Sequence, residues 1–401
     1  MSDQLPQGFP RTLLQQSIEV RRHYFETKVV AHHHLKQVYE ALLHAVRYPA
    51  GTSLIWAVGP TGVGKTTLLQ RLVKQLIEDA ALDPAATPGH IPAILMEAAS
   101  PDTGNFSWKD YFTRALIAAD EPMMADKIAY DVRGMRRDGQ GQLVIERTAT
   151  ALDLRRVLEK CFHHRHPRAF IVDEAQHLKK MTSGRRFLDQ MDTLKSLANM
   201  SSTVHVLVGT YDLLGLMNLN AQLARRSVEL HFPRYHLDLP EDLKEFKKLL
   251  RTFQRHLPLA KEPDLESHYL YFYERSLGCT GMLKTLLNKA LGAALEQRQQ
   301  TLVPKLWEPF AESPHKLKEM LHEIREDEKK LQEQESESHL HELREMLGLE
   351  GTSPKGEVRA QDASSSPTPA DSAKRRGRRV GQRDPKRDRI GKEPPDERRE
   401  G

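Results

Sequence analysis

Cysteine is scarce. Cys161 and Cys279 are the only two among 401 residues, they lie far apart, and neither belongs to a CxxC. A disulfide framework and a cysteine zinc site are therefore excluded. No run of 18 or more apolar residues exists, which excludes a membrane-spanning helix. The opening "MSDQLPQGFPRTLL" lacks a basic stretch followed by an apolar one, so a secretory leader is not expected, and the composition points to a cytoplasmic protein. Residues 350–401 contain no aromatic side chain. Such a segment cannot bury enough apolar surface to offset its ordering entropy, and it reads as a disordered basic tail. The body also lacks an excess of either charge. The whole chain carries 60 Lys+Arg against 55 Asp+Glu, and residues 351–401 hold 14 and 9 of them, leaving 46 of each sign in residues 1–350. The net charge of +5 thus belongs to the tail and gives no sign of a basic DNA-binding face on the body.

What is present is regular. Residues 1–50 form a mostly helical lead-in, with an interruption near Val29–Ala31. From about residue 52 to 235, short apolar runs alternate with helical patterns: "SLIWAVG", "IPAILMEAA", "RAFIVDEAQHL" and "VHVLVGT" read as strands covered on both faces. Ser107 is a plausible N-cap for "WKDYFTRALIAA". "RGMRRDGQGQ", residues 133–142, reads as a basic loop. After "DLPEDLKEFKKLLRTF" the pattern is helical only. "PHKLKEMLHEIREDEKKLQEQ" is so rich in charge that a solvated helix or a short coiled coil is expected.

Chemistry concentrates at a few positions. "GPTGVGKTT" places Gly59, Gly64, Lys65 and Thr66 in the spacing GxxxxGK[ST], between an apolar strand and a helix. Successive backbone N–H groups must curl round phosphate oxygens, so side chains have to be absent at the tight points, to which Gly62 adds a third. Lys65 supplies a cation, Thr66 a hydroxyl for Mg²⁺, and the helix points its N-terminus at the anion. In "RAFIVDEAQHL", Asp173 and Glu174 stand at the C-terminal end of a strand, where open α/β sheets bind ligands. Asp173 suits the Mg²⁺ shell and Glu174 the polarising of an attacking water. "VHVLVGT" ends in Thr210, which could touch the terminal phosphate or that water, although a polar strand end is also commonplace. Arg226, with Arg225 beside it, precedes a short strand. It suits either a charge offered to a neighbouring subunit's nucleotide or a surface ion pair. In "SLGCTGMLK", Gly278 and Gly281 open a helix carrying Lys284, a candidate cation for the phosphates or an ordinary surface lysine.

These elements, in this order and followed by a helical lid, resemble the AAA+ ATPases over about residues 20–300. "DEAQHL", "LVGTYDLL" and "LARRSVELHFPRY" resemble, within them, the transposition regulators of the TniB/TnsC type. The resemblance implies an α/β fold, a P-loop AAA+ parallel sheet flanked by helices over 51–236 with a small helical lid over 237–312; the charged helix over 313–349 and the disordered basic tail over 350–401 are departures from the compact members of that family. It implies that ATP is held by Gly59, Thr61, Gly62, Val63, Gly64, Lys65, Thr66 and Thr67, with Lys284 reaching in. Thr66 and Asp173 would bind Mg²⁺, Glu174 would activate water, Thr210 would sense the γ-phosphate, and Arg226 would act in trans. It further implies a homo-oligomeric ring or filament on double-stranded DNA that recruits a transposase and a TniQ-type target-selection partner, in a bacterial, nucleoid-associated setting, with hydrolysis driving turnover.

An inner wall facing DNA needs cations and small polar donors. The candidates are Ser107, Lys109 and Arg114 in "GNFSWKDYFTR", and Arg133, Arg136 and Arg137 in "RGMRRDG". Each is also acceptable as solvated surface. Trp108 reads as packing. His32-His33-His34 cannot all face one metal ion on a helix, and a helix surface or a wall near the nucleotide is preferred. "KRRGRRVGQRDPKRDR" suits either a nonspecific nucleic-acid or partner tail or a solubilising run. Three other classes share part of this pattern. A helicase loader or initiator would need a DNA-binding module such as a winged helix after the lid. A nucleotide-switched signalling protein would be expected to lack Glu174 or Arg226. A metabolic kinase would need a phosphoacceptor pocket where the lid pattern lies.

Overall fold

The computed structural model describes residues 8–83, 89–100, 106–120, 135–137, 143–145, 149–180, 193–198, 203–217, 226–334 and 337–349. Arg225, Arg133 and the basic tail lie outside them.

The lead-in is two helices, α1 (Ile18–Thr27) and α2 (His33–Arg47), separated where the sequence predicts a break. Ser17 caps α1 by accepting from the Val20 N–H, and His32 caps α2. Then follow β1 (Leu54–Val58), α3 (Lys65–Ala81), β2 (Ala93–Glu97), α4 (Trp108–Asp120), β3 (Met135–Arg137), β4 (Leu143–Ile145), α5 (Ala151–Arg165), β5 (Ala169–Asp173), β6 (Val204–Gly209) and β7 (Ser227–His231). Thr150 and Asp153 form a reciprocal capping box that fixes the start of α5.

Five strands make one parallel sheet in the order β2-β5-β6-β1-β7. Strand side chains alternate, so each strand feeds two cores. Leu54, Trp56 and Val58 join Phe170, Val172 and the faces of α4 and α5 on one side. Ile55 and Ala57 join Ile171, Val206, Val208 and residues of α2 and α3 on the other. Parallel strands covered on both faces need continuous apolar runs, and β1, β5 and β6 are buried throughout. The basic segment 133–142, expected to be a loop, instead contains a strand, β3, which pairs antiparallel with β4 just beyond it, Arg136 standing opposite Val144 and Arg137 opposite Leu143. Three-residue strands are too short to leave an alternation that sequence reading can detect.

The lid consists of α6 (Pro240–His256), α7 (Tyr269–Ser276) and α8 (Thr280–Glu296). Its core holds Phe246, Phe253, Phe272, Leu283, Leu287 and Trp307, and takes in Phe25 and Val30 from the lead-in. A further long helix, α9 (Pro314–Gln334), is not a solvated rod. Leu317 and Ile324 are buried against Leu277, with Met320 and Leu321 at their side. Their helical spacing makes an apolar stripe that the surrounding charge conceals. A last helix, α10 (Glu337–Met346), follows. The described residues up to 340 form one compact unit, and residues 341–349 belong to a second. Among the described residues no helix is long and apolar enough to cross a membrane.

Candidate nucleotide site

The sheet register builds the site. Strands β5, β6 and β1 are neighbours, Val58 stands opposite Gly209, and all three run the same way. Their C-terminal ends therefore set Asp173, Thr210 and the loop after Val58 side by side at one edge, where ligands bind in open α/β sheets.

The loop is shaped by its glycines. Gly62 and Gly64 take positive φ, +79° and +113°, in a region that other residues rarely adopt. A Cβ on Gly59 would lie 2.4 Å from the Phe232 carbonyl oxygen, so the first glycine is required by close packing against the end of β7. Val63 is buried beneath the loop. Thr61 and Thr66 are exposed, and Thr67 is half-buried on the first turn of α3. Lys65 is buried, and its Nζ donates to the carbonyls of Gly59 and Pro60, both at 3.0 Å. Burial pushes its ammonium below the ordinary lysine value, while Glu174 and Asp173 oppose that shift.

Thr66 and Asp173 come together across 107 positions of sequence: the Thr66 hydroxyl donates to Asp173 Oδ2 at 2.9 Å. The other oxygen, Oδ1, accepts the Glu174 N–H at 2.9 Å. A hydroxyl and an oriented carboxylate are the hard oxygen donors that Mg²⁺ takes, so the donor set fits that ion. Among the described residues there is no cluster of His, Cys, Asp and Glu suited to another metal.

Glu174 itself has φ +52°. This left-handed turn ends β5 abruptly. Gln176, which the sequence does not mark out, joins Glu174 to Thr210 at the end of β6. Its Nε2 donates to Glu174 Oε2, and its Oε1 accepts the Thr210 N–H at 3.2 Å.

The lid closes on the loop through backbone. The N–H groups of Gly281 and Met282, at the start of α8, donate to the Gly62 carbonyl at 2.6 and 3.3 Å. Lys284 has a different task from the one expected. Its Nζ donates to the carbonyls of Glu26 and Lys28 at 2.7 and 2.9 Å, tying α8 to the lead-in rather than reaching for phosphate. The histidines are also structural. His32 stacks on Phe232 and bonds the Tyr235 hydroxyl at 3.1 Å, and His34 Nε2 lies 3.3 Å from Asp242 of α6, outside hydrogen-bond geometry. Phe232 in turn packs against Gly59, so a wall of the site rests on the lead-in.

Arg226 stands at the far edge. Its carbonyl accepts from Ser53 and Leu54 where β7 begins, whereas the loop lies past the other end of the adjacent β1. Five strand residues, roughly 16 Å, separate the two edges. The backbone of Arg226 thus stands at the end of the sheet opposite the loop.

Of the residues considered for DNA, Ser107 caps α4 by accepting the Asp110 N–H at 3.3 Å, and Arg114 pairs with Asp110 at 2.8 Å. Lys109 is half-buried on the first turn of the same helix. Arg136 and Arg137 lie on the β3–β4 pair. Trp108 packs among Phe106, Tyr111 and Phe112, as expected.

Residues 47–217 match the family model of an AAA domain. No curated protein matches the sequence. Similar solved structures include the Aeropyrum pernix ORC2 protein in ADPNP–ADP complexes, with 17% identity over 72% of this chain and 70% of that one and a TM-score of 0.46. They also include Drosophila ORC bound to DNA, at 13% identity, 77% and 69% coverage and TM-score 0.44. A Walker-type ATPase of Pyrococcus abyssi aligns at 15% identity, 80% coverage of both chains and TM-score 0.44. The AAA-domain match and the five-stranded parallel sheet with its phosphate loop make this an AAA+ P-loop fold.

Proposed function

We propose that the chain is an ATP-hydrolysing AAA+ protein that assembles on double-stranded DNA and regulates transposition. The observation that carries the hydrolytic part is the Thr66–Asp173 contact with Glu174 next in the chain. Gly59, Thr61, Gly62, Val63, Gly64, Lys65, Thr66 and Thr67 cradle the triphosphate. Lys65, whose Nζ lies on the Gly59 and Pro60 carbonyls, would supply the cation for the phosphate oxygens. Thr66 and Asp173 would hold Mg²⁺, which would supply neutralising charge for the phosphates. Glu174 accepts a proton from the attacking water, and Thr210 reads the terminal phosphate.

Arg226 serves a neighbouring copy. Its place at the opposite sheet edge supports a reading in which hydrolysis requires a homo-oligomer. The DNA part of the proposal rests on the sequence resemblance to TniB/TnsC-type regulators, with Ser107, Lys109, Arg114, Arg136 and Arg137 as candidate backbone contacts. A transposase and a TniQ-type protein are the partners it implies, in a bacterial nucleoid. An initiator or loader with a winged helix would place strands after the lid. Among the described residues after 300 the regular elements are helices, with no strand.

The test is double-stranded DNA binding with a nonhydrolysable ATP analogue, with ADP, and without nucleotide, read by gel shift and negative-stain imaging, with Glu174→Gln alongside. DNA-bound rings or filaments confined to the triphosphate state, and persisting in the variant, support the reading. ATP binding with no DNA association in any state rejects it.

A further inference from the structure

Gln176 belongs neither to the phosphate loop nor to the Thr66–Asp173 pair. It is two residues past the base, on a short 3₁₀ segment, Ala175–Lys180. Both ends of its amide are engaged, and each end touches a different functional element. The donor end meets the Glu174 carboxylate. The acceptor end receives the backbone N–H of Thr210, 34 positions away. A side-chain amide offers both a donor and an acceptor about two ångströms apart, which a carboxylate, a hydroxyl or an ammonium cannot do in the same orientation.

The surroundings are shaped to admit this amide. A Cβ on Gly209 would lie 2.2 Å from Gln176 Oε1 and 3.2 Å from the Gln176 backbone nitrogen. Gly209 has no positive φ to explain it. It is the last residue of β6, and a Cβ there would also come within 3.0 Å of Leu213 Cδ1, so the close approach of Gln176 and Leu213 accounts for a glycine at this position. The left-handed turn at Glu174 directs the chain so that residues 174 and 176 both face the end of β6.

We propose that Gln176 is a positioning residue that sets the orientation of the Glu174 carboxylate from the place of the β6 end. The inference rests on the ATP-hydrolysis reading above. Any movement of Thr210 towards a terminal phosphate carries the Gln176 oxygen with it, and the Gln176 nitrogen then turns the Glu174 carboxylate. The base is thereby presented only when the sensor is engaged. A carboxylate misplaced by about an ångström loses most of its effect on the chemical step, while the phosphate cradle is untouched. The expected signature is a loss in kcat with KM preserved.

Three variants of the full chain test this, assayed for ATP hydrolysis with and without double-stranded DNA and for nucleotide affinity by fluorescent-analogue titration. Gln176→Ala removes both bonds. Gln176→Glu keeps the acceptor for the Thr210 N–H but sets a second carboxylate against Glu174. Gly209→Ala displaces the amide without changing any polar group. All three are expected to lower kcat by about 10- to 100-fold with KM and nucleotide affinity changed by less than about threefold, and Gln176→Ala/Gly209→Ala is expected to be no worse than the more severe single variant. Wild-type kcat in Gln176→Glu overturns the proposal, because the bond to Glu174 is then dispensable. Equal losses of affinity and kcat in all variants also overturn it, by showing a general site defect. Absence of hydrolysis by the wild type, with or without DNA, removes the functional reading and this inference together. Hydrolysis that Glu174→Gln abolishes but Gln176 variants leave intact removes only the inference.

Discussion

Glu328, on a helix whose composition reads as solvent-facing, holds Arg234 by two bonds: Nε to Oε1 at 2.9 Å and Nη2 to Oε2 at 3.0 Å. Both side chains are buried. The guanidinium also donates to the Tyr273 hydroxyl and the Leu277 carbonyl. Burial opposes the charge on Arg234, but the Glu328 bonds prevail and its pKa stands above the ordinary value. Removing one partner of such a pair leaves a desolvated charge. Glu328→Leu should therefore cost about 3–5 kcal/mol of stability, seen as a lower urea midpoint. Arg234→Met/Glu328→Leu should recover most of that loss. A double variant as unstable as the single one would show that the pair does more than satisfy itself.

The nucleotide site makes a separate demand on Thr66. Thr66→Ala should reduce hydrolysis by roughly 100-fold, and Thr66→Ser should retain most of it, since only the hydroxyl faces Asp173. Steady-state rates over a Mg²⁺ titration decide this. An alanine variant with wild-type rates would remove Thr66 from the metal shell.

The lid contact is tight at one atom. A Cβ on Gly281 would lie 2.5 Å from the Gly62 carbonyl oxygen, and backbone cannot yield as a flexible side chain does. Gly281→Ala should cost about 1–3 kcal/mol through displacement of α8 from the loop. It should weaken nucleotide binding, measured by titration with a fluorescent analogue. Unchanged affinity and melting would show that the lid moves freely over the loop.

Much of this architecture was legible in the sequence, for a physical reason. A phosphate loop needs particular residue types at fixed local spacing, so Gly59 to Thr67 announce themselves. Buried parallel strands need unbroken apolar runs, so β1, β5 and β6 do too. The missed features are those whose partners are distant in sequence. Gln176 carries no distinctive chemistry until Thr210 is placed beside it. Lys284 sits at the start of a lid helix, and only the fold shows that the carbonyls of residues 26 and 28 occupy it. The apolar stripe of α9 was written in Leu317, Leu321 and Ile324, yet the charged residues between them outweighed it.

Buried neutral histidines make stability depend on acid. Burial pushes His32 and His205 down to about 3 and His231 to about 4. Below the unfolded value near 6.5, the unfolded chain takes up protons that the folded one refuses, so stability falls as pH drops from about 6.5 towards 4. Each such group contributes up to about 1.4 kcal/mol per pH unit in that window. His205 lies among Phe162 and Phe170 with neither ring nitrogen bonded. His205→Leu should flatten the slope by one proton while preserving stability at pH 7.5. Urea midpoints from pH 5 to 7.5 test this, and a slope unchanged by the substitution would exclude His205 as a contributor.

The lead-in supplies Phe25 and Val30 to the lid core, and Leu35, Val38, Leu42, Leu43 and Val46 to one face of the sheet. A fragment trimmed to the residues that define the ATPase motifs would thus lose part of two cores at once. The smallest stretch of this protein able to stand in water is set by where its apolar surfaces find cover, and that boundary lies well upstream of the glycine loop that begins at Gly59.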